Sequence, residues 1–321
     1  MQLNSIPIPS VRLSIEAYNQ SGKTAFMLTA PKPYVHFAFD LGWQRALMGG
    51  RYELLKDFDF EVVDLDLGAE FDRANPPWKG HDITILLVPK PIYTDEILIK
   101  GAREHWQYYN SRLAAAIAAP ASEVACIGVD TGSMCRELRA DAYLQELQQK
   151  VRPGEQVRQR LSQIEYAKPN EAIRDLYNYC EIAGKNLIVS HHLQDERKLQ
   201  PVTNPRDNTV SMQNLPTGDH VLRGLGDTLN LVDVAMRFKG HVRGGKFDVT
   251  ATFQKSGYVP ELLGSNLMNP TWNGIMTWLE LKSGGRLKFP MAQVKAVEPE
   301  PVAGEEVEAE AKPVIVGVEE V

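Results

Sequence analysis

Residues 17–24, which read AYNQSGKT, constrain the fold of this chain more than any other stretch. They match the pattern G-x-x-x-x-G-K-[ST] except at the first position, where Ala17 stands in place of glycine. In this pattern backbone N–H groups and a helix N-terminus surround phosphates, the lysine reaches the outer phosphates, and the hydroxyl ligates Mg²⁺. Residues 11–16 alternate as a strand does, and residues 24–28 read as the start of a helix. Strand, loop and helix in this order are the context that the motif requires, so we predict a phosphate-binding loop.

The loop residues divide into two predicted roles. Lys23 is expected to act on the outer phosphates as a catalytic residue, and Thr24 to ligate Mg²⁺. The alternative is a chance Gly-Lys-Thr sequence in a surface turn. The predicted nucleotide-binding residues are Asn19, Gln20, Ser21, Gly22, Lys23, Thr24 and Ala25.

Two further apolar runs end in an aspartate. Residues 123–131 form a buried strand that ends at Asp130, which we predict to be the second protein ligand of Mg²⁺ beside the phosphate loop. Residues 34–39 predict another strand, and Asp40 follows it at the edge of the sheet where α/β folds place their chemistry. Asp40 is a candidate catalytic residue, or alternatively a turn-forming residue before Gly42.

A third strand, residues 186–190, is followed by His191 and His192. If this strand neighbours that of Asp130, His191 can sense the γ-phosphate through a hydrogen bond. A metal site at the two histidines is not expected, because adjacent residues at a strand end point to opposite sides. Residues 193–216 show no periodicity and predict a long loop, and residues 218–231 predict a helix.

The remaining pattern predicts an α/β fold: a mostly parallel sheet flanked by helices, with a C-terminal β-hairpin formed by residues 234–239 and 246–253. We expect one domain over residues 1–290, with an insertion at about residues 45–120. Residues 291–321 are rich in Glu, Val, Ala and Pro, which predicts a disordered acidic tail.

Composition narrows the class of protein. Hydrophobic residues make up 43% of the chain and charged residues 24%, the profile of a soluble globular protein. The net charge of −6 restricts any contact with nucleic acid to a local basic patch. Three scattered cysteines, no apparent signal peptide and no apolar run of membrane-spanning length predict a cytoplasmic protein without a membrane partner.

The ordered set of motifs resembles the phage-encoded AAA-type P-loop ATPases with a RecA-like core, over roughly residues 11–264. The resemblance rests on residues 20–24, 39–40, 129–131, 187–191 and 232–237. The resemblance implies an ATPase that uses ATP and Mg²⁺ and assembles as a homo-oligomer. It also implies action on single-stranded DNA in phage recombination or replication, with a phage single-strand-binding or replication protein as a possible partner and the host cytoplasm as location.

By the same resemblance His191 matches the polar sensor, and residues 193–216 fall where RecA-like proteins carry a DNA-binding loop. Arg197, Lys198 and Arg206 are the basic residues available there.

Two departures from the family pattern matter. Ala17 replaces the first glycine, and Leu41 and Gly42 stand where RecA-like enzymes place a glutamate base. Asp40 is the candidate replacement for that base, and without one hydrolysis would be slow, because a general base contributes roughly 10²–10⁴ in rate. The alternative function is therefore a nucleotide-binding oligomeric interaction protein with little or no turnover.

Overall fold

The computed structural model describes residues 5–48, 56–91, 93, 98–203 and 209–293. Most of the predicted tail, from residue 294 onward, lies outside the described residues. Within these ranges the strands are β1 (Ile6–Pro7), β2 (Arg12–Ala17), β3 (Tyr34–Ala38), β4 (Phe60–Val63), β5 (Ile83–Leu87), β6 (Cys126–Asp130), β7 (Asn186–Thr203), β8 (Val210–Leu222), β9 (Val234–Arg243), β10 (Lys246–Ser256), β11 (Asn266–Met268) and β12 (Leu287–Lys288). The α-helices are α1 (Lys23–Met27), α2 (Gly42–Met48), α3 (Ala102–Ala118), α4 (Gly132–Gln148), α5 (Ala167–Ile182), α6 (Thr228–Leu231) and α7 (Trp272–Lys282).

The main sheet is mixed. Its strand order is β11-β10-β9-β2-β7-β6-β3-β5-β4, and β8 pairs with β7 beside this path. All pairings from β9 to β4 are parallel, whereas β10, β11 and β8 pair antiparallel. The prediction of a mostly parallel sheet therefore holds for the part from β9 to β4. Since the parallel strands all point the same way, the ends of β2, β3 and β6 meet at one edge of the sheet.

Helices cover both faces of this sheet, and each face has its own hydrophobic core. On one face Phe26 of α1 and Trp272 of α7 are fully buried. On the other face Tyr109 of α3, Leu138 of α4 and Tyr177 of α5 are buried. The predicted insertion supplies β4, β5 and α3, so it extends the same sheet. None of the helices in the described ranges combines the length and apolarity that crossing a membrane requires.

The predicted C-terminal hairpin is confirmed. Strands β9 and β10 pair antiparallel, and Gly244 and Gly245 form the turn with φ angles of 56° and 78°. Two consecutive positive φ angles are what a two-residue hairpin turn with the right twist requires, and glycine adopts them without a steric cost.

The predicted loop over residues 193–216 is wrong for its described part, and the helix predicted over residues 218–231 is present only at its end, as α6. Instead β7 continues beyond the sheet and pairs with β8 from Leu193 opposite Leu222 to Thr203 opposite Val210. We call this pair of strands the ribbon. Neither face of the ribbon is buried in a core, so its sequence lacks the apolar alternation by which strands are recognised. The helix in this region is confined to α6.

Candidate functional site

The stretch after β2 forms a loop that turns back over its own strand end, and α1 begins at Lys23. Gln20 and Gly22 adopt positive φ angles of 60° and 78°. The ammonium of Lys23 lies across the loop and donates to the carbonyls of Ala17 at 3.3 Å and Tyr18 at 2.9 Å. Burial lowers the pKa of Lys23, opposed by the negative charges at the same site. The loop thus holds a positive charge at its centre, where phosphate-binding loops hold their lysine.

Asp130 reaches this loop from β6, although β7 lies between β6 and β2. The Thr24 hydroxyl donates to Oδ2 of Asp130 at 2.5 Å, and the Ser190 hydroxyl donates to Oδ1. Nε2 of the fully buried His36 lies 3.8 Å from Oδ2. Burial lowers the pKa of His36, so its imidazole stays neutral beside the carboxylate. Two hydroxyl donors therefore fix the Asp130 side chain against the start of α1.

Asp40 joins Thr24 and Asp130 at the same place. Its Oδ1 accepts a hydrogen bond from the backbone N–H of Gly42 at 2.6 Å. A Cβ atom at Gly42 would lie 2.7 Å from Asp40 Oδ1, 3.0 Å from Thr24 Oγ1 and 3.7 Å from Asp130 Oδ2. Three oxygen atoms thus lie close together beside Gly42, where a side chain would crowd them. Oxygen ligands of this kind suit Mg²⁺, and the residues present fit that ion.

These side chains line a cavity of about 400 Å³. The structure brings together every predicted nucleotide-binding residue, both predicted metal ligands, and Asp40. The residues that line the cavity are Asn19, Gln20, Ser21, Gly22, Lys23, Thr24, Ala25, Asp40, Gly42, Arg45, Ala46, Asp130, Thr131, His192, Phe247 and Val249.

His191 does not line this cavity. It is 1% exposed, and its Nε2 lies 3.3 Å from the Tyr177 hydroxyl on α5. Burial, followed by the charges of His192 and Lys23, lowers the pKa of His191 to about 3, so the ring is neutral. Adjacent strand residues point to opposite faces, and the histidine that faces the cavity is His192. The adjacent residue thus takes the position that we predicted for the sensor.

Among the lining residues that the sequence analysis did not predict as site residues are Arg45, Phe247 and Val249. Arg45 comes from α2, in the part of the chain where the motifs are weakest, and carries no local signal. Phe247 and Val249 come from β10, which folds back over the phosphate loop. A Cβ atom at Gly22 would lie only 2.7 Å from Cγ2 of Val249, so the hairpin packs directly on the loop. The alternation of residues 246–253 predicted the strand but not what it covers.

The ribbon begins beside the phosphate loop. The Tyr18 hydroxyl lies 2.5 Å from Nδ1 of His220, and the two rings meet edge to face with centroids 5.1 Å apart. His220 lies in turn 3.3 Å from a carboxylate oxygen of Asp195 on the paired strand. The loop and the base of the ribbon are therefore in direct contact.

Two of the three predicted DNA-binding residues lie on the ribbon. Arg197 and Lys198 are exposed on β7, and the Lys198 ammonium pairs with Glu196 at 3.0 Å. Arg206 lies outside the described residues. Asp195, Glu196 and Asp219 lie along the same segment, so the described part of the ribbon is not a basic patch.

Comparison with known proteins finds no matching family model and no matching curated protein. Among solved structures, the chain is similar to flagellar accessory protein FlaH from Methanocaldococcus jannaschii. The identity is 13%, the coverage 82% of this chain and 85% of that chain, and the TM-score 0.35. It is also similar to KaiC-like protein PH0186 from Pyrococcus horikoshii OT3, with 10% identity, 77% and 79% coverage, and a TM-score of 0.35. Similarity at this level leaves both fold and function to be argued from the chain's own residues.

Proposed function

We propose that this chain binds Mg²⁺ and ATP at the loop of residues 19–25 and hydrolyses the nucleotide. The observation that carries the proposal is the 2.5 Å contact between Thr24 and Asp130 inside the cavity. These residues are 106 positions apart, and each was predicted from its own motif as a ligand of the same ion. A chance Gly-Lys-Thr turn gives no reason for a buried carboxylate from another strand to meet its hydroxyl.

Each residue has a distinct task in this proposal. Backbone N–H groups of the loop and the Lys23 ammonium hold the phosphates and oppose their charge. Thr24 and Asp130 would hold Mg²⁺, which supplies further neutralisation of the phosphate oxygens when bound. Asp40 is the candidate to accept a proton from the attacking water, since its carboxylate lies at the same cavity.

The test is titration calorimetry with ATP and Mg²⁺ on the full chain. Lys23→Ala should weaken binding by roughly 10- to 150-fold, the equivalent of about 1.5–3 kcal/mol for a hydrogen bond to a charged group. Lys79→Ala is the matched control, because Lys79 does not line the cavity and its ammonium donates to the carbonyl of Ala74. Equal affinity of wild type and Lys23→Ala would contradict the proposal.

The alternative is a nucleotide-binding oligomeric protein with little turnover. The carboxylates among the described residues that line the cavity are Asp40 and Asp130. Asp130 is the proposed metal ligand, and Asp40 already accepts a hydrogen bond from the backbone N–H of Gly42. The alternative is favoured because neither carboxylate is then free to act as the general base. A multiple-turnover phosphate-release assay decides between the two. Release that exceeds the enzyme concentration and disappears in Asp40→Asn supports hydrolysis, whereas tight binding without release supports the alternative.

We further propose that the ribbon contacts single-stranded DNA, in a homo-oligomer and in phage recombination or replication. The support is a projecting pair of strands with exposed Arg197 and Lys198, joined at its base to the phosphate loop, although acidic residues beside them keep this segment from being a basic patch. Replacing both residues by alanine should reduce the slope of log affinity against log salt by about 1.4, since each lost phosphate contact contributes about 0.7 on single strands. An unchanged slope would remove the ribbon from the DNA site.

A further inference from the structure

The apolar face of the β9–β10 hairpin continues beyond the hydrophobic core. On β10 the alternate residues Phe253, Ala251 and Val249 are buried, with 2% exposure or less. The next residue on this face, Phe247, is 52% exposed. Val242, which pairs with Phe247 across the hairpin, is 75% exposed. A face that is fully packed over the phosphate loop thus ends in two apolar side chains in contact with solvent.

The Phe247 ring lies at the rim of the nucleotide cavity and beside the phosphate loop. A Cβ atom at Gly240 would lie 2.7 Å from Cζ of Phe247 and 3.2 Å from the carbonyl oxygen of Gln20. Glycine at this position therefore leaves room for the ring and the loop to approach each other. The close approach explains why Phe247 is part of the cavity lining although half of its surface is exposed.

The cavity offers two kinds of surface. Lys23, Thr24 and Asp130 form its charged part, which suits phosphates and their cation. Phe247 and Val249 supply an apolar part, and Phe247 is the only phenyl ring among the described residues that line it. A nucleoside triphosphate has the same division between a polyanion and a planar aromatic base. Stacking on an aromatic side chain suits every base, because each has a π-face.

We propose that Phe247 is the platform on which the base of the bound nucleotide stacks. The proposal rests on the proposed function and adds the residue that holds the base. A phenyl ring has no hydrogen-bond donor or acceptor, so it does not distinguish adenine from guanine. The larger purine rings offer more stacking area than pyrimidines and should therefore bind more tightly.

The experiment compares ATP with inorganic tripolyphosphate, both with Mg²⁺, in titration calorimetry. Phe247→Ala should weaken ATP binding about 5- to 150-fold, the range measured for base stacking on aromatic residues. Binding of tripolyphosphate, which has no base, should not change. Phe247→Trp should retain the affinity for ATP. Tyr179→Ala removes a comparably exposed aromatic residue, 55% exposed on α5 and away from the cavity lining, and should have no effect.

A second measurement covers tripolyphosphate binding that is too weak to titrate. Adding tripolyphosphate during the ATP titration gives its affinity by competition, and that affinity should be the same for wild type and Phe247→Ala. ATP affinity unchanged in Phe247→Ala, or lost equally for tripolyphosphate, would overturn the proposal. Failure of wild type to bind ATP at all would instead refute the proposed function.

Discussion

Replacing Gly22 by alanine tests whether the hairpin rests on the phosphate loop as the structure shows. Gly22 combines a φ angle of 78° with a position where a Cβ atom would meet Val249 Cγ2 at 2.7 Å. Apolar carbons pack best at about 3.5–4.0 Å, so one of the two groups must move. Val249 is 2% exposed and β-branched, which leaves its side chain little freedom to rotate away.

The expected cost has two parts. Left-handed backbone costs a residue with a Cβ atom about 1–2 kcal/mol. Overpacking in a filled core costs about 1–3 kcal/mol more. We therefore expect Gly22→Ala to lower the free energy of unfolding by about 2–5 kcal/mol.

Urea denaturation separates the two parts when a matched control is included. Gly80 has a φ angle of 90° but no atom within 4 Å of its Cβ position, so Gly80→Ala should lose only the backbone part, about 1–2 kcal/mol. In the double variant of Gly22→Ala and Val249→Ala the steric part should vanish, giving a coupling of about 1–3 kcal/mol in the double-mutant cycle. Equal losses in Gly22→Ala and Gly80→Ala, or strict additivity in the cycle, would refute the packing of β10 on the loop.

Three other variants test separate parts of the structure. Burial lowers the pKa of Lys32 from 10.5 to about 8, so unfolding takes up a proton between these values and the free energy of unfolding rises with pH across this window. Lys32→Met should abolish that rise, about 2 kcal/mol between pH 8 and pH 10, in urea denaturation at these two pH values. Asp130→Asn keeps an acceptor for the Thr24 hydroxyl but removes the negative charge that would hold Mg²⁺. The affinity for ATP, measured by calorimetry, should therefore be the same with Mg²⁺ and with EDTA. A retained effect of Mg²⁺ would exclude Asp130 as a ligand. Tyr18→Phe removes the hydrogen bond to His220, which should lower the free energy of local opening at the base of the ribbon by about 0.5–1.5 kcal/mol. Amide hydrogen exchange there should therefore become faster. Unchanged exchange would mean that this contact does not hold the ribbon.

The sequence predicted the charged part of the candidate site because that part depends on local patterns. The loop before Lys23 has a characteristic spacing, and Asp40 and Asp130 each follow an apolar run. Parallel strands place such ends at one edge of a sheet, so three separate motifs could be expected to meet there. The structure brings them together in one cavity.

The rest depends on relations that no local pattern carries. The choice between His191 and His192 depends on strand register, since a shift of one residue exchanges the faces. The packing of Val249 on Gly22 joins parts of the chain that are far apart in sequence. The sequence predicts a loop in place of the ribbon because Pro201 and Pro216 interrupt it and neither face is buried. Proline is compatible with strands that have an open edge, and both strands of the ribbon have one.

Strand β7 lines the cavity at His192 and continues, with a register shift between Asp195 and Arg197, to Thr203 in the ribbon. The segment of residues 193–203 spans about 35 Å at roughly 3.3 Å per residue. The segment is therefore an arm that is anchored at one end in the wall of the cavity. A tilt of about 5° at His192 would displace the backbone at Thr203 by about 3 Å, so an adjustment too small to disturb the core would be amplified along the ribbon.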